Sequence, residues 1–141
     1  MQTLTQTGRP PHPLAHKVAI VTGGAGGLGA ATGRYLAEVG LKVVVADLRL
    51  ELAESVAATI QANHVSATAI ALDVSNPSQI QAAVEQVLER YGQIDVLVNN
   101  AGIDVTLSIE ELALSQWQQV IDVNLNEPFY MAKAVFPHLR A

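Results

Sequence analysis

The sequence contains no cysteine. Disulfides and thiolate metal sites are therefore excluded, and a reducing, cytoplasmic setting is the expectation. Aromatic residues are only 4% and charged residues 15% of the 141 positions, with 8 basic side chains against 13 acidic ones and a net charge of −5. With no basic run, nucleic acid is not an expected partner. No apolar run reaches the length of a membrane span. The opening segment, MQTLTQTGRPPHPLAH, lacks the apolar centre of a signal peptide, so no membrane partner is expected. The four histidines, His12, His16, His64 and His138, are scattered without ligand spacing, and no metal site is expected. What is abundant is apolar residues, 50% of the chain, enough for the core of one domain.

The chain is organised around residues 18–29, VAIVTGGAGGLG. Residues 17–22 are a short, β-branched, apolar run that reads as a buried strand. Five of the seven residues after Thr22 are glycine, and a helical pattern opens at about Gly27. Without Cβ atoms the backbone turns sharply, and a phosphate can approach main-chain N–H groups at the positive end of the new helix. Gly24-Ala25-Gly26-Gly27-Leu28-Gly29 fits G-x-G-x-x-G, a weak signal by itself. Its context strengthens it: residues 41–46, LKVVVA, form a second strand ending at Asp47, eighteen positions after Gly29. An acid there is placed to accept from a ribose 2′-hydroxyl; the other reading is a solvated loop carboxylate.

Strands and helices alternate along the rest of the chain. Leu28, Ala31, Tyr35, Leu36 and Val39 recur at helical spacing, and Gly40 closes that helix as a left-handed cap. Leu50, Ala53, Val56, Ala57 and Ile60 mark a second helix, and residues 67–72 a third strand ending at Asp73-Val74. Asn76, Pro77 and Gln79 open a third helix, with Ile80, Ala83, Val84, Val87, Leu88 and Tyr91 as its buried face and Gly92 as its end. Residues 94–98 are a fourth strand leading into Asn99-Asn100-Ala101-Gly102. A short helical turn is expected at Ser108 with Glu111, and Ser115 with Gln118 reads as the capping box of a long last helix. That helix carries the apolar stripe Trp117, Val120, Ile121, Leu125, Phe129, Ala132, Val135, Phe136 and Leu139, and Pro128 is expected to kink it.

Four such alternations predict an α/β fold with a doubly wound parallel sheet of the Rossmann type, its strands in the order 3-2-1-4. The fourth strand is as apolar as a central one, yet no later segment can pair with its outer edge. Residues 16–141 are therefore expected to be the N-terminal part of an NAD(P)-binding Rossmann domain that is incomplete here. Residues 1–15, with Pro10, Pro11 and Pro13, are expected to be an extended, mobile arm.

Four of these segments together resemble the short-chain dehydrogenase/reductase family in its compact, single-domain form. Thr22-Gly23, three residues, then Gly27-Leu28-Gly29 is similar to the family's TGxxxGxG loop. Asp73-Val74 matches the pair that holds the adenine ring, and Asn99-Asn100-Ala101-Gly102 the NNAG segment that stabilises the sheet and borders the cofactor. Val123-Asn124-Leu125 matches the start of VNLxG, whose asparagine belongs to the catalytic set. The resemblance covers residues 17–139. It implies an NAD(P)-dependent oxidoreductase passing hydride between a nicotinamide and an alcohol or ketone, usually as a homodimer or homotetramer paired through the long helix near Ser115. Cofactor contacts would fall on Gly23, Gly27, Leu28 and Gly29, on Asp47 and Leu48, on Asp73 and Val74, and on Asn100, Ala101 and Gly102. The charge of Asp47 repels a 2′-phosphate and favours NAD over NADP, with Arg49 two residues on to soften the preference.

Two departures qualify the resemblance. Glu127 stands where the family has the glycine of VNLxG, a change expected to be tolerated on a helix surface. The family's catalytic Ser and Tyr-x-x-x-Lys pair fall beyond the position of Ala141, and no Tyr-x-x-x-Lys occurs in this sequence. Tyr130 and Lys133 are spaced three apart and read as ordinary helix residues. The chain alone is therefore expected to be inactive. Its alternative reading is a non-catalytic NAD-binding module, or a half-domain completed by another chain. A Rossmann-type methyltransferase is a third class, against which Asp73-Val74 and NNAG argue. Two residues stay open at this level. Asp73 either caps the turn after its strand or contacts adenine. Asn124 falls on the period of the apolar stripe, where it either bridges backbone groups in the core or serves a proton relay.

Overall fold

A computed structural model describes residues 10–139. Strands β1 (Val18–Thr22), β2 (Lys42–Asp47), β3 (Ala67–Ala71) and β4 (Val96–Val98) form a single parallel sheet in the order β3-β2-β1-β4, as expected. The register runs Val18↔Lys42, Ala19↔Val96 and Val43↔Ala67. Between and after them lie α1 (Gly27–Glu38), α2 (Leu50–Gln61), α3 (Pro77–Tyr91), α4 (Leu114–Ile121) and α5 (Glu127–Leu139). Side chains alternate across the pleat, so each central strand feeds two cores. Val18 and Ile20 with Val44 and Ala46 pack against α3 and α5. Val21 with Val43 and Val45 packs against α1 and α2.

Local chemistry fixes most element ends where the sequence places them. The Asn76 side chain accepts from the Ser78 and Gln79 amides, Pro77 sits in the first turn, and Gly92 ends α3 in the left-handed conformation. The Gln79 side chain, however, accepts from the Asp73 amide and so ties α3 to the end of β3. At the opposite rim Asp95 accepts from the Val18 amide at 2.8 Å and pairs with Lys17 at 3.4 Å, anchoring the start of β1. Ser108 and Glu111 form the expected turn, closed by their side chains at 2.8 Å.

Several expectations are corrected or refined. Residues 1–9 of the expected arm lie outside the described residues, but residues 13–16 are a turn rather than extended chain, with the His16 amide donating to the Gly40 carbonyl at 2.8 Å. The buried face of α1 is Gly29, Ala30, Gly33 and Ala37, while Leu28 is 81% and Tyr35 65% exposed. Small residues let α1 lie close on β2, with Leu36 packed at the edge of that core and Leu28 and Tyr35 turned outward. The last helix starts at Leu114, with the Ala113 amide donating to the Gln116 side chain at 2.9 Å; Ser115 and Gln118 form no capping box. Finally, the last helix is interrupted by a π turn, Asp122–Asn126, in which the Glu127 amide donates to the Asp122 carbonyl. Pro128 has no N–H to offer the carbonyl four residues back, and the widened turn ahead of it absorbs that loss.

The apolar stripe expected on this last helix is mostly not core. Trp117, Leu125, Phe129 and Phe136 are all more than half exposed, and the buried positions of α5 are Glu127, Met131 and Val135. β4 is three half-buried residues long, and no strand among the described residues pairs with its outer edge. No helix among the described residues is long and apolar enough to cross a membrane.

The close seat of α1 generates a contrast between two glycines. A Cβ on Gly33 would meet Val43 and Ile60 at 3.5 and 3.9 Å, ordinary contact distances, whereas one on Gly29 would collide with the Gly23 carbonyl. Gly33→Ala is expected to stabilise the fold by about 0.5–1 kcal/mol through helix propensity, and Gly29→Ala to destabilise it. Urea unfolding of the two variants beside the parent checks both signs.

Candidate functional site

Because every strand pair is parallel, the ends of β1, β2 and β3 and the segment after β4 open along one rim. There they border a cavity of about 610 Å³. Gly23 and Leu28 line it from the glycine turn, Asp47 and Leu48 from the end of β2, and Asp73 and Val74 from the end of β3. Asn100, Ala101 and Gly102 line it from the segment after β4. Nine of the twelve candidate residues thus meet at one cavity. Two smaller cavities, of about 410 and 370 Å³, contain none of them.

The glycine turn is built for backbone approach. Gly23 has φ +61°, and a Cβ there would stand 2.9 Å from Ala101. Gly29 is buried against the Gly23 carbonyl and the Asn100 side chain. Gly27 lies outside the cavity lining, with φ +54° and nothing within 4 Å of its Cβ position. Gly26, the N-cap of α1, makes no side-chain cap, and no acidic residue occupies the first turn. The first amides of α1 therefore retain their positive end without a counter-charge in the helix itself, an arrangement suited to an anion.

Asp47 is 7% exposed and already holds three donors. Its Oδ2 accepts from the Ala25 amide at 3.1 Å, and its Oδ1 from the Arg49 amide at 2.9 Å and the Arg49 Nε at 3.3 Å. A carboxylate has about four lone-pair sites, so one remains on Oδ2 for a hydroxyl donor. Asp73 does cap its turn, accepting from the Ser75 amide at 3.0 Å and the Ser75 hydroxyl at 2.6 Å through Oδ1. Its other oxygen is outside those bonds, beside the same cavity. Asn124 lies on the π turn rather than lining the cavity, and it grips one residue at two points. The Ile103 amide donates to its Oδ1 and its Nδ2 donates to the Ile103 carbonyl, both at 2.8 Å. The bridging of backbone groups is therefore real, and it fixes the cavity's wall at Ile103.

Two participants lie outside the expected site residues. Thr22 is fully buried, and its Oγ accepts from the Asn100 and Ala101 amides at 3.1 Å each while donating to the Val98 carbonyl at 3.4 Å. Asn100 answers with Nδ2, donating to the Thr22 and Gly23 carbonyls at 3.1 Å. The available signal was a hydroxyl closing a buried strand, which must find partners. Glu127 overturns the surface expectation: it is 0% exposed, and neither carboxyl oxygen has a hydrogen-bond partner among the described residues. Burial pushes its carboxyl up to about 7, against a smaller opposing pull from the nearby Thr22 hydroxyl.

A parallel sheet in the order β3-β2-β1-β4 with helices on both faces, a glycine turn after its first strand and an acid at the end of its second define an α/β protein of the Rossmann type. The family model for short chain dehydrogenase matches residues 17–141, and the chain belongs to that family. It is 40% identical to an uncharacterized oxidoreductase, YxjF, of Bacillus subtilis, over 90% of this chain and 49% of that protein. It is 39% identical to D-threitol dehydrogenase of Mycolicibacterium smegmatis, over 86% and 47%. It is 43% identical to 3-alpha-(or 20-beta)-hydroxysteroid dehydrogenase of Mycobacterium tuberculosis, over 86% and 46%. The crystal structure of gox2181 superposes with a TM-score of 0.86 at 35% identity, covering 89% of this chain and 49% of that one. The chain thus spans about half the length of the relatives it matches.

The Thr22 junction can be tested without any ligand. Thr22→Val leaves two half-buried amides without their acceptor and is expected to cost about 1–3 kcal/mol, while Thr22→Ser keeps the oxygen and recovers most of that. Chemical denaturation of both variants measures the difference.

Proposed function

We propose that this chain is the nucleotide-binding part of an NAD-dependent oxidoreductase whose whole protein passes hydride between a nicotinamide and an alcohol or ketone. The observation that carries this reading is the shared cavity, onto which the glycine turn, Asp47 and Asp73 all open. In it the amides around Gly23, Gly27, Leu28 and Gly29 hold the pyrophosphate, and Asp47 with Leu48 holds the adenosine ribose. Asp73 and Val74 border the adenine, and Asn100, Ala101 and Gly102 border the remaining half of the dinucleotide. NAD, when bound, supplies the hydride acceptor or donor; the chain's residues orient it and exclude water. The carboxylate of Asp47 disfavours a 2′-phosphate, so NAD is preferred over NADP. The guanidinium of Arg49 is drawn onto that carboxylate at 3.3 Å, which leaves it less able to serve a phosphate.

Asn124 is assigned to the proton relay of the complete enzyme, beside its hold on Ile103. With no Tyr-x-x-x-Lys in its sequence, this chain by itself binds NAD and turns over nothing. Residues 16–141 then act as the N-terminal part of a Rossmann domain, in a cytoplasmic homodimer or homotetramer. The exposed apolar face of α4 and α5 and the outer edge of β4, which no strand among the described residues pairs with, favour a second reading as well, a half-domain completed by another chain. Adding that chain would restore turnover.

Removing the ribose acceptor tests the assignment. Asp47→Ala is expected to weaken NAD binding by about 10–100-fold, the worth of a charge-assisted hydrogen bond or two, with a smaller change for NADP. Titration followed by the fluorescence of Trp117, the single tryptophan, reads both constants. Two unchanged constants would remove Asp47 from the site.

A further inference from the structure

Glu127 lies at the seam where the π turn becomes α5, sealed from solvent and without a hydrogen-bond donor among the described residues. A carboxylate so placed loses its water and gains nothing, so the neutral acid is the form the packed state accepts. The elements around it supply no compensating cation. β1 and β4 carry no charged or titratable residue. α3 brings Glu85, Glu89, Arg90 and Tyr91, the π turn Asp122, and α5 Tyr130, Lys133 and His138, and none of these acts on the Glu127 carboxyl. The single polar group that does is the Thr22 hydroxyl. That hydroxyl is the one holding the Asn100 and Ala101 amides. Three residues before Glu127, on the same π turn, Asn124 holds Ile103. Of the ties that hold the cavity's 100–103 wall, one therefore runs through the hydroxyl beside this carboxyl and another through a residue on the π turn that leads into it.

We propose that Glu127 is a proton-linked latch on the cavity: neutral, it lets the π turn and the start of α5 seat against β1, and on ionising it unseats them and loosens residues 100–103. It is a positioning residue, acting through Thr22 and Asn124 and touching no ligand. The native carboxyl titrates near 7 against an ordinary 4.5, so the seated state binds the proton more tightly than the unseated one. Its advantage is complete below the ordinary value and is lost as pH rises through the native one. The consequence for ligand affinity rests on the nucleotide reading above; the loosening itself does not.

Amide hydrogen exchange of the ligand-free chain separates the two. Between about pH 6 and about pH 8, after correction for intrinsic rates, protection of the Asn100, Ala101 and Ile103 amides is expected to fall roughly tenfold in the parent, one pH-linked decade. In Glu127→Gln, which keeps the shape and cannot ionise, protection should stay flat. NAD affinity measured by calorimetry should follow the same pattern in both proteins. Equal loss in parent and variant, or loss in neither, overturns the latch. Protection that follows Glu127 while measurable NAD affinity ignores pH overturns its link to binding. NAD bound by neither protein at any pH defeats the nucleotide reading, and the exchange result alone then decides the latch.

Discussion

The hydroxyl of Thr22 ties together the two halves of the rim on which the cavity is built. β1 ends there, and the parallel register Val21↔Val98 brings the chain leaving β4 directly alongside. Two consecutive amides, of Asn100 and Ala101, turn inward and would be stranded without an acceptor; one oxygen takes both. The Asn100 side chain completes the exchange by donating to the carbonyls of Thr22 and Gly23. This leaves so little room that Gly23 and Gly29 must both lack a Cβ. The tight turn, the direction of α1 and the position of residues 100–102 are thus consequences of one buried polar cluster.

The approach of α1 follows from the same crowding. A helix whose first turn must stand above the end of β1 has to lie low on the sheet, and Gly29, Ala30, Gly33 and Ala37 make that possible. Leu28 and Tyr35 are then forced outward, which is how Leu28 comes to border the cavity while staying exposed. Burial here is decided by distance of approach more than by hydrophobicity of the side chain, since a Leu in place of Gly33 would have nowhere to go between Val43 and Ile60.

Much of this was legible in the order of residues. Strand runs bounded by turn chemistry, and glycines followed by a helix and then an acid, are local patterns that pointed to the element order, the strand order and the acid at Asp47, while the family resemblance supplied most of the nine residues that meet at the cavity. What escaped is what depends on neighbours distant in sequence. The helical period of Leu28, Ala31 and Tyr35 marks an apolar face but not which face meets a strand. Ser115 and Gln118 fit a capping pattern as well as Ala113 and Gln116 do by spacing, and only the path of the chain selects the second pair. A π turn has no residue signature beyond the proline that follows it. The burial of Glu127 runs against its residue type altogether, because α5 presents that position to β1 while Phe129 and Phe136 face outward.

Three carboxyls near the same rim show how the environment divides one functional group into different tasks. Asp47 receives three donors and Asp73 two through a single oxygen, so each is compensated for the water it gives up and still keeps an unused acceptor toward the cavity. Recognition of a hydroxyl requires that combination: a charge held in place and a lone pair left over. Glu127 receives none and has no opening to the cavity, so it offers nothing to a ligand and costs the fold whenever it is charged. Its only available contribution is through the proton it holds. In the latch proposed above, such a group acts on the site by changing how firmly the wall behind it is seated, whereas in the proposed nucleotide site the two aspartates act by what they present to it.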